Sequence, residues 1–544
     1  MPSKSERVAL GLDFGTESVR ALLVDLAGNE RGCAAAPYRH GQILGSLPGS
    51  NTLIPPHHAF QHPEDWLKSA RIAIASALKR GGVEISQIIG VGVDFTSCTM
   101  LPALADSTPL CMLPEFAGQP MAWPKLWKHH GALAQTDRVN EVARSRNENF
   151  LKRYGGIIGL EWFFPKMLET FDVAPKVWNK TEVWVEAGDW FVWRLVGGPS
   201  ETLPRSACQA GYKGMWSAAD GFPTLDFLEA VRPGFSRGLR DKMPGRVVAP
   251  GTPAGLLCPA AAKQLGLRPG IPVSAAIIDA HAGVPGAGAD QPSTLVMVMG
   301  TSSCHMINAA EERFVPGVAG VVKDGILPGL FGYETGQAAV GDAFDWWRKI
   351  CGARDFKKLD AQAGDLPPGA DGVRCLDWFN GCRTPLMDGS LRGQFGGLSL
   401  HHGPAHFHRA LIEASACGLR WIVELLREHG VPVRRFVATG GLPHHNPLIT
   451  RIYADTLGES IEIHPSTQGP ALGAAILGAL AAGPAASGFR STSAAIRAMA
   501  RPKSGAGRPG PRVIRPNRKA RAAHDRVYAD YRRLADLHRA PPVP

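Results

Sequence analysis

Residues 8–25, VALGLDFGTESVRALLVD, decide how the chain is read. Val8, Leu10 and Leu12 alternate with small residues up to Asp13, a polar turn follows at Gly15-Thr16-Glu17-Ser18, and Val19 to Val24 has strand composition again. The pattern predicts a strand, a tight turn and a returning strand. A carboxylate at a strand end can hold a hydrated magnesium ion, while glycine and small hydroxyl residues let backbone N–H groups approach a phosphate. The plainer alternative is a hairpin whose Asp and Thr only satisfy the turn. A second copy separates the two. Thr294 to Met299 (TLVMVM) leads into Gly300-Thr301-Ser302-Ser303 and then Cys304-His305-Met306-Ile307. Two units of one construction predict a duplicated domain that clasps a phosphate between two turns.

Outward from these hairpins the chain alternates strands and helices, as an α/β protein does. Pro63-Glu64-Asp65 opens a helix with Trp66, Ala70, Ile74, Ala77 and Leu78 at helical spacing, and Gly81-Gly82 closes it. Ile88 to Val93 reads as a strand ending at Asp94, and Ile271 to Ile278 as one ending at Asp279. Open α/β sheets bind ligands at the carboxyl ends of their strands, so Asp13, Asp94 and Asp279 are expected to share a cleft. Residues 110–200 read as mainly helical, with Trp162, Phe163, Phe164, Trp190, Phe191 and Trp193 as core anchors. A long helix is expected over 404–428, a low-complexity linker over 479–511 and a final helix over 516–537 that is able to fold back on the body.

At 544 residues the chain exceeds a single core, so two domains are expected. The net charge of +11 is concentrated at the end: residues 490–539 hold fourteen Lys and Arg against three Asp, and the body is neutral. Without interleaved aromatics before Tyr528, that tail reads as a solvated terminus and not as a nucleic-acid surface. The ten cysteines show no C-x-x-C pair and no zinc spacing, and no apolar run has the length of a leader or membrane span. The expectation is a cytoplasmic protein with reduced thiols, no membrane and no nucleic acid.

The runs GLDFGTESVRALLVD (11–25), VGVDFTSCTMLP (91–102), LWKHH (126–130), GLEWFFPKMLET (159–170) and DAHAGVPGAGA (279–289) together resemble the FGGY family of carbohydrate kinases, and within it the kinases of L-ribulose in arabinose breakdown. The resemblance runs from about Val8 to about Gly478. It implies two actin-like (ribonuclease H-like) ATPase domains with the active site in the cleft between them, here 1–289 and 290–485, followed by a basic linker (486–512) and a C-terminal helix and tail (513–544). It implies ATP and Mg2+, with a ketopentose as the other substrate. A homodimer stands open.

By the same resemblance Asp279 is the general base and Asp13 the aspartate near magnesium. Gly15, Thr16, Gly300, Thr301 and Ser302 clasp phosphates, and Gly440, Gly441 and Asn446 in ATGGLPHHNPLIT hold the adenosine. His444-His445 depart there from the polar residue and Lys or Ser of many members. Ser97, Lys213, Asp279 and Glu334 are the implied sugar contacts, with Trp127 and Lys128 near the same wall; Asp94 is read as shaping the cleft and His281 as structural. Rival readings are a kinase of another pentulose or pentitol, a sugar or nucleotide sensor, and a chaperone-type ATPase. The last lacks the peptide-binding domain it needs.

Overall fold

The computed structural model describes residues 6–501 and 510–539. Its first sheet begins with β1 (Val8–Phe14) and β2 (Ser18–Asp25), an antiparallel hairpin in which Asp13 lies opposite Arg20. β3 (Glu30–Pro37) adds to β2, and β4 (Ile88–Phe95) runs parallel to β1 with Asp94 beside Asp13. Helix α1 (Pro63–Gly81) covers this face. The His62 ring caps it by accepting from the Glu64 N–H, Gly82 ends it at φ +57, and Trp66, Ala70, Ile74 and Ala77 are buried beneath it.

An insertion follows β4. It contains a ribbon of Met100–Ala103 against Val183–Glu186, helices at Leu133–Ser145, α2 (Phe163–Val173) and Ala187–Val196, and then α3 (Ala207–Lys213). Trp162, Phe163, Phe164, Trp178 and Trp184 form a core within it, while Trp190, Phe191 and Trp193 join the core of the first sheet. The segment from 104 to 130 is turns and short 3-10 pieces, so the expected helical stretch is only partly helical.

The sheet resumes with β5 (Pro253–Leu256), β6 (Pro272–Ser274) and β7 (Ile277–Ile278), in the order β3-β2-β1-β4-β6-β5 with β7 also on β4. The single strand expected over 271–278 is thus broken. Ala275 donates its N–H to Thr252 instead of to the ladder, and pairing with β4 restarts at Ile277 opposite Asp94. The break lets Asp279 open helix α4 (Asp279–Gly286).

The second sheet repeats the first. β8 (Thr294–Met299) and β9 (Ser303–Ala309) form the second hairpin; β10 (Gly320–Lys323), β11 (Phe331–Gln337), β12 (Arg435–Thr439), β13 (Ile461–Ile463) and β14 (Arg512–Ile514) complete the order β10-β11-β9-β8-β12-β13-β14. In both sheets an antiparallel three-strand unit is followed by parallel strands, which is the duplication the two hairpins predict. Helix α5 (Pro404–Glu428) has the expected bounds and forms the core of this lobe.

Helix α6 (Gly469–Ala481) belongs to the second half by sequence but lies on β1, β4 and α4. Its small residues are a steric requirement. A Cβ on Gly92 of β4 would lie 1.8 Å from the Ala474 carbonyl oxygen, and one on Gly473 would lie 1.8 Å from that of Ala282 in α4. Backbones touch where the lobes cross, and a continuous apolar core joins Ala9 and Leu22 to Val296, Met306 and Leu472.

The linker expected over 479–511 is a correction. Its described part contains a turn of helix at Gly483–Ser487 and α7 (Thr492–Ala500). Ala495, Ile496, Met499 and Ala500 form a buried stripe, and buried Asp290 pairs with Arg497 Nε and, at 3.1 Å, with Arg501. Nor is the basic end a solvated terminus. Helix α8 (Arg521–Arg539) packs Tyr528 and Tyr531 on the second lobe, the Tyr531 hydroxyl donates to Asp377 at 2.9 Å, and Arg532 lies over the Trp421 ring. The parts of the leader, linker and tail expectations that fall on 1–5, 502–509 and 540–544 lie outside the described residues. Among those described, no single helix is long and apolar enough to cross a membrane.

Candidate functional site

The site is assembled from strand ends. Asp13 is 8% exposed and accepts from Arg20 Nη1 at 3.0 Å, a pair set by the hairpin register. Asp94 beside it is fully buried, and neither of its oxygens has a hydrogen-bond partner among the described residues. Burial pushes the Asp94 carboxyl well up, and the neighbouring Asp13 and Asp279 charges push the same way. Burial also raises Asp13, against the pull of Arg20. An orphaned carboxylate next to a second one is an all-oxygen donor set of the kind a small hard divalent cation takes.

Asp279 heads α4 in a half-buried position and accepts the Ala280 N–H at 2.7 Å. Burial pushes its carboxyl up to about 7, the Ala280 amide opposes this, and Asp13 and Glu334 add to it. A carboxylate poised near neutral pH suits a general base. Of the amides of Ala280 to Gly283 expected to hold a strand-end cap, Ala280 donates to Asp279, which is the first residue of the helix and not its cap.

Most of the carbonyls of the two turns are occupied. In the first, Phe14, Thr16, Glu17 and Ser18 accept from Thr96, Gln61, Tyr38 and Gly15. In the second, Gly300 accepts from Gly341, Thr301 from Val340 and Asp342, and Ser302 from Gly300. Thr16 keeps its hydroxyl hydrogen although its Oγ1 accepts from Trp127 Nε1 at 3.0 Å. Lys128, by contrast, is exposed and lies over the Trp127 ring.

Gly440 follows β12 at φ +95, and a Cβ there would lie 2.4 Å from the Met299 carbonyl oxygen, so only glycine brings this loop against the second turn. Gly441 begins the short helix beyond it. The Asn446 side chain is already committed: Oδ1 accepts the Ile449 N–H and Nδ2 donates to Asp360 at 2.9 Å. Asn446 thus holds the loop as a helix cap.

Between the lobes lies a buried charge cluster. Lys213 of α3 donates to Glu334 of β11 at 3.0 and 3.1 Å, with both residues no more than 3% exposed. Arg383 pairs with the same carboxylate, and His281 Nε2 stands 3.3 Å away without the angle of a hydrogen bond. Burial works against the Glu334 charge, but Lys213 and Arg383 hold its carboxyl well below the usual range. Ser97 is half-buried in the turn after β4, next to Cys98, whose carbonyl is fixed by buried Lys166 at 2.7 Å.

The structure thus gathers Asp13, Asp94 and Asp279 with Lys213 and Glu334. Sequence reasoning missed two residues. Arg20 could have been found by counting back across the hairpin from Gly15 and Ser18; Arg383, in LDWFNGCRTP, offers no local signal for its distant partner. His281 belongs to the cluster and packs at a tilt against Tyr212, with ring centres 4.3 Å apart. The rest of LWKHH and GLEWFFPKMLET builds the wall: Glu169 lies between His58 and His129 at 3.1 and 2.8 Å.

Comparison with known proteins gives the following. Residues 295–482 match the model of the FGGY family of carbohydrate kinases, C-terminal domain. A ribulokinase of Geobacillus thermodenitrificans is 41% identical over 543 residues, covering 98% of this chain and 94% of the relative. A ribulokinase of Shouchella clausii is 42% identical, covering 98% and 95%. Among solved structures, a xylulose kinase from Rhodospirillum rubrum superposes with TM-score 0.78 at 24% identity, covering 98% of this chain and 99% of that one. Plasmodium falciparum glycerol kinase with ADP superposes with TM-score 0.78 at 15% identity over 99% and 100%.

Proposed function

The chain belongs to the FGGY family of carbohydrate kinases, and from that premise we propose that it is a ribulokinase, transferring the γ-phosphoryl group of ATP to the terminal hydroxyl of L-ribulose. The observation that carries the reading is identity above 40% to ribulokinases over nearly the full length of both chains. The reaction class is phosphotransfer to an alcohol.

In this reading the sugar lies against Ser97, Lys213 and Glu334, with its terminal hydroxyl at Asp279. Lys213 comes from the first lobe and Glu334 from the second, so a bound polyol bridges the lobes, with donors on one wall and acceptors on the other. The turns at Gly15-Thr16 and Gly300-Thr301-Ser302 hold the phosphates, and Gly440-Gly441 borders the adenosine. Asp13 and Asp94 would hold Mg2+, which when bound neutralises phosphate charge. Asp279 accepts the proton as the hydroxyl oxygen attacks, and closure of the lobes keeps water from competing. The domain division at 289/290 fits the two sheets, with α6 crossing back over the first.

The test is ADP release with L-ribulose, D-ribulose, D- and L-xylulose, ribitol, L-arabitol and glycerol. The highest kcat/KM is expected for L-ribulose. A higher value for a xylulose or a pentitol overturns the substrate assignment, and no sugar-dependent turnover overturns the kinase.

A further inference from the structure

We propose that Arg383 is a further catalytic residue, its guanidinium contacting the phosphoryl group as that group reaches the sugar hydroxyl. This rests on the kinase reading above.

The loop carrying Arg383 is strapped to β11. Thr384 donates its N–H to the Gly336 carbonyl at 3.1 Å, and its Oγ1 accepts the Gly336 N–H at 3.3 Å. The Arg383 side chain then runs over Gly336, where a Cβ would lie 3.4 Å from Nη1. Glu334, two residues back on the same face, accepts from Nη2; Cys304, opposite Gly336 across the ladder, takes Nη1 at 3.6 Å through its sulfur. Ser302 of the second turn comes two residues before Cys304, just ahead of β9, and so within about 7 Å along the chain. The guanidinium therefore lies between the candidate sugar carboxylate and the second phosphate turn. Asp279 is near as well: His281, two residues on, has its Nε2 3.3 Å from the Glu334 carboxylate that Arg383 also meets.

Two features make this arginine more than a prop for Glu334. Its side chain is 27% exposed while that of Glu334 is 3%, so one edge is open to the cleft. Its Nη1 arm is spent on a thiol, a poor acceptor that any phosphoryl oxygen outcompetes. Glu334 keeps Lys213 when Arg383 turns away, so no buried charge is left unpaired. In the step itself the sugar oxygen forms a bond to the γ-phosphorus and the bond to the β-bridging oxygen breaks. ADP leaves with that electron pair, and the hydroxyl proton goes to Asp279. Charge on the three equatorial oxygens is what Arg383 meets.

The test compares wild type, Arg383→Gln and Arg383→Lys by steady-state kinetics and by calorimetric binding of L-ribulose, L-ribulose 5-phosphate and ADP. For Arg383→Gln, kcat is expected to fall about 10²- to 10³-fold. Sugar affinity should stay within about threefold, while sugar-phosphate affinity weakens about tenfold, as for loss of one charged contact. Arg383→Lys should recover part of kcat. A sugar affinity lowered with kcat intact would make Arg383 a positioning residue for Glu334 and overturn the proposal, as would no change at all. Should the Gln variant fail to bind ADP, the Lys variant decides: reduced kcat at unchanged sugar affinity supports the contact, and full kcat overturns it. Failure of the kinase reading shows separately, in the wild-type sugar panel; the variants are compared on whichever sugar turns over, and if none does the proposal falls too.

Discussion

Replacing Asp279 with Asn should separate catalysis from stability. The Asn oxygen still accepts the Ala280 N–H, so the head of α4 keeps its local bond. Loss of the base should lower kcat about 10²- to 10⁴-fold with ADP affinity retained. Burial pushes the wild-type carboxyl from an ordinary 3.8 up to about 7, and only its ionised form accepts a proton. Turnover should therefore rise about tenfold from pH 6 to pH 8 and level off above. The stability sign runs the other way. A carboxyl raised in the folded state favours folding below its unfolded value and loses that contribution as pH climbs through the folded value. Relative to wild type, Asp279→Asn should thus be indistinguishable near pH 4 and more stable from pH 7 upward. The displacement from 3.8 to about 7 sets a ceiling of ~4 kcal/mol, and partial contact with water reduces the expected gain to about 1–3 kcal/mol. Thermal melts across pH 4 to 8 and ADP-release kinetics read the two effects. A variant keeping a tenth or more of wild-type turnover, or a flat wild-type profile from pH 6 to 8, would refute the assignment.

Gly473→Ala forces a methyl group into the Ala282 carbonyl at 1.8 Å, so α4 and α6 must separate; a loss of about 2–4 kcal/mol is expected in urea unfolding. Gly440→Ala meets both a φ of +95 and the Met299 carbonyl, and should raise the KM for ATP about tenfold, with that for sugar little changed. Asp290→Ala removes the partner of Arg497 and Arg501, and limited proteolysis should then cut within 490–501 faster than in wild type.

What the sequence disclosed and what it hid divide along physical lines. The hairpins at Val8–Asp25 and Thr294–Ala309 were legible because alternation and a small polar turn are local properties, and α5 because its apolar spacing persists over 25 residues. The break between Ser274 and Ile277 was not, since an apolar run looks the same whether or not its ladder is interrupted. Helix α7 was hidden by alanine-rich composition: Ala495, Ile496, Met499 and Ala500 form a stripe only once there is a slot for it. At the site, Asp13, Asp94 and Asp279 could be proposed from strand ends. Lys213 and Glu334 came only through resemblance, as sugar contacts, and their ion pair was not foreseen, because it spans 121 residues and two lobes. Arg383 shows the same limit without a resemblance to supply its role.

The placement of α6 also governs how the protein can be made. A ribosome releases β1, β4 and α4 long before it reaches residues 469–481, yet those late residues cover the early strands. Through that interval the glycine-floored face over Gly11, Gly90 and Gly92 stays bare, an apolar surface open to holdase chaperones and to self-association. A gene split between the two sheets would leave the first fragment without its lid, and co-expression of the second would be needed to recover it.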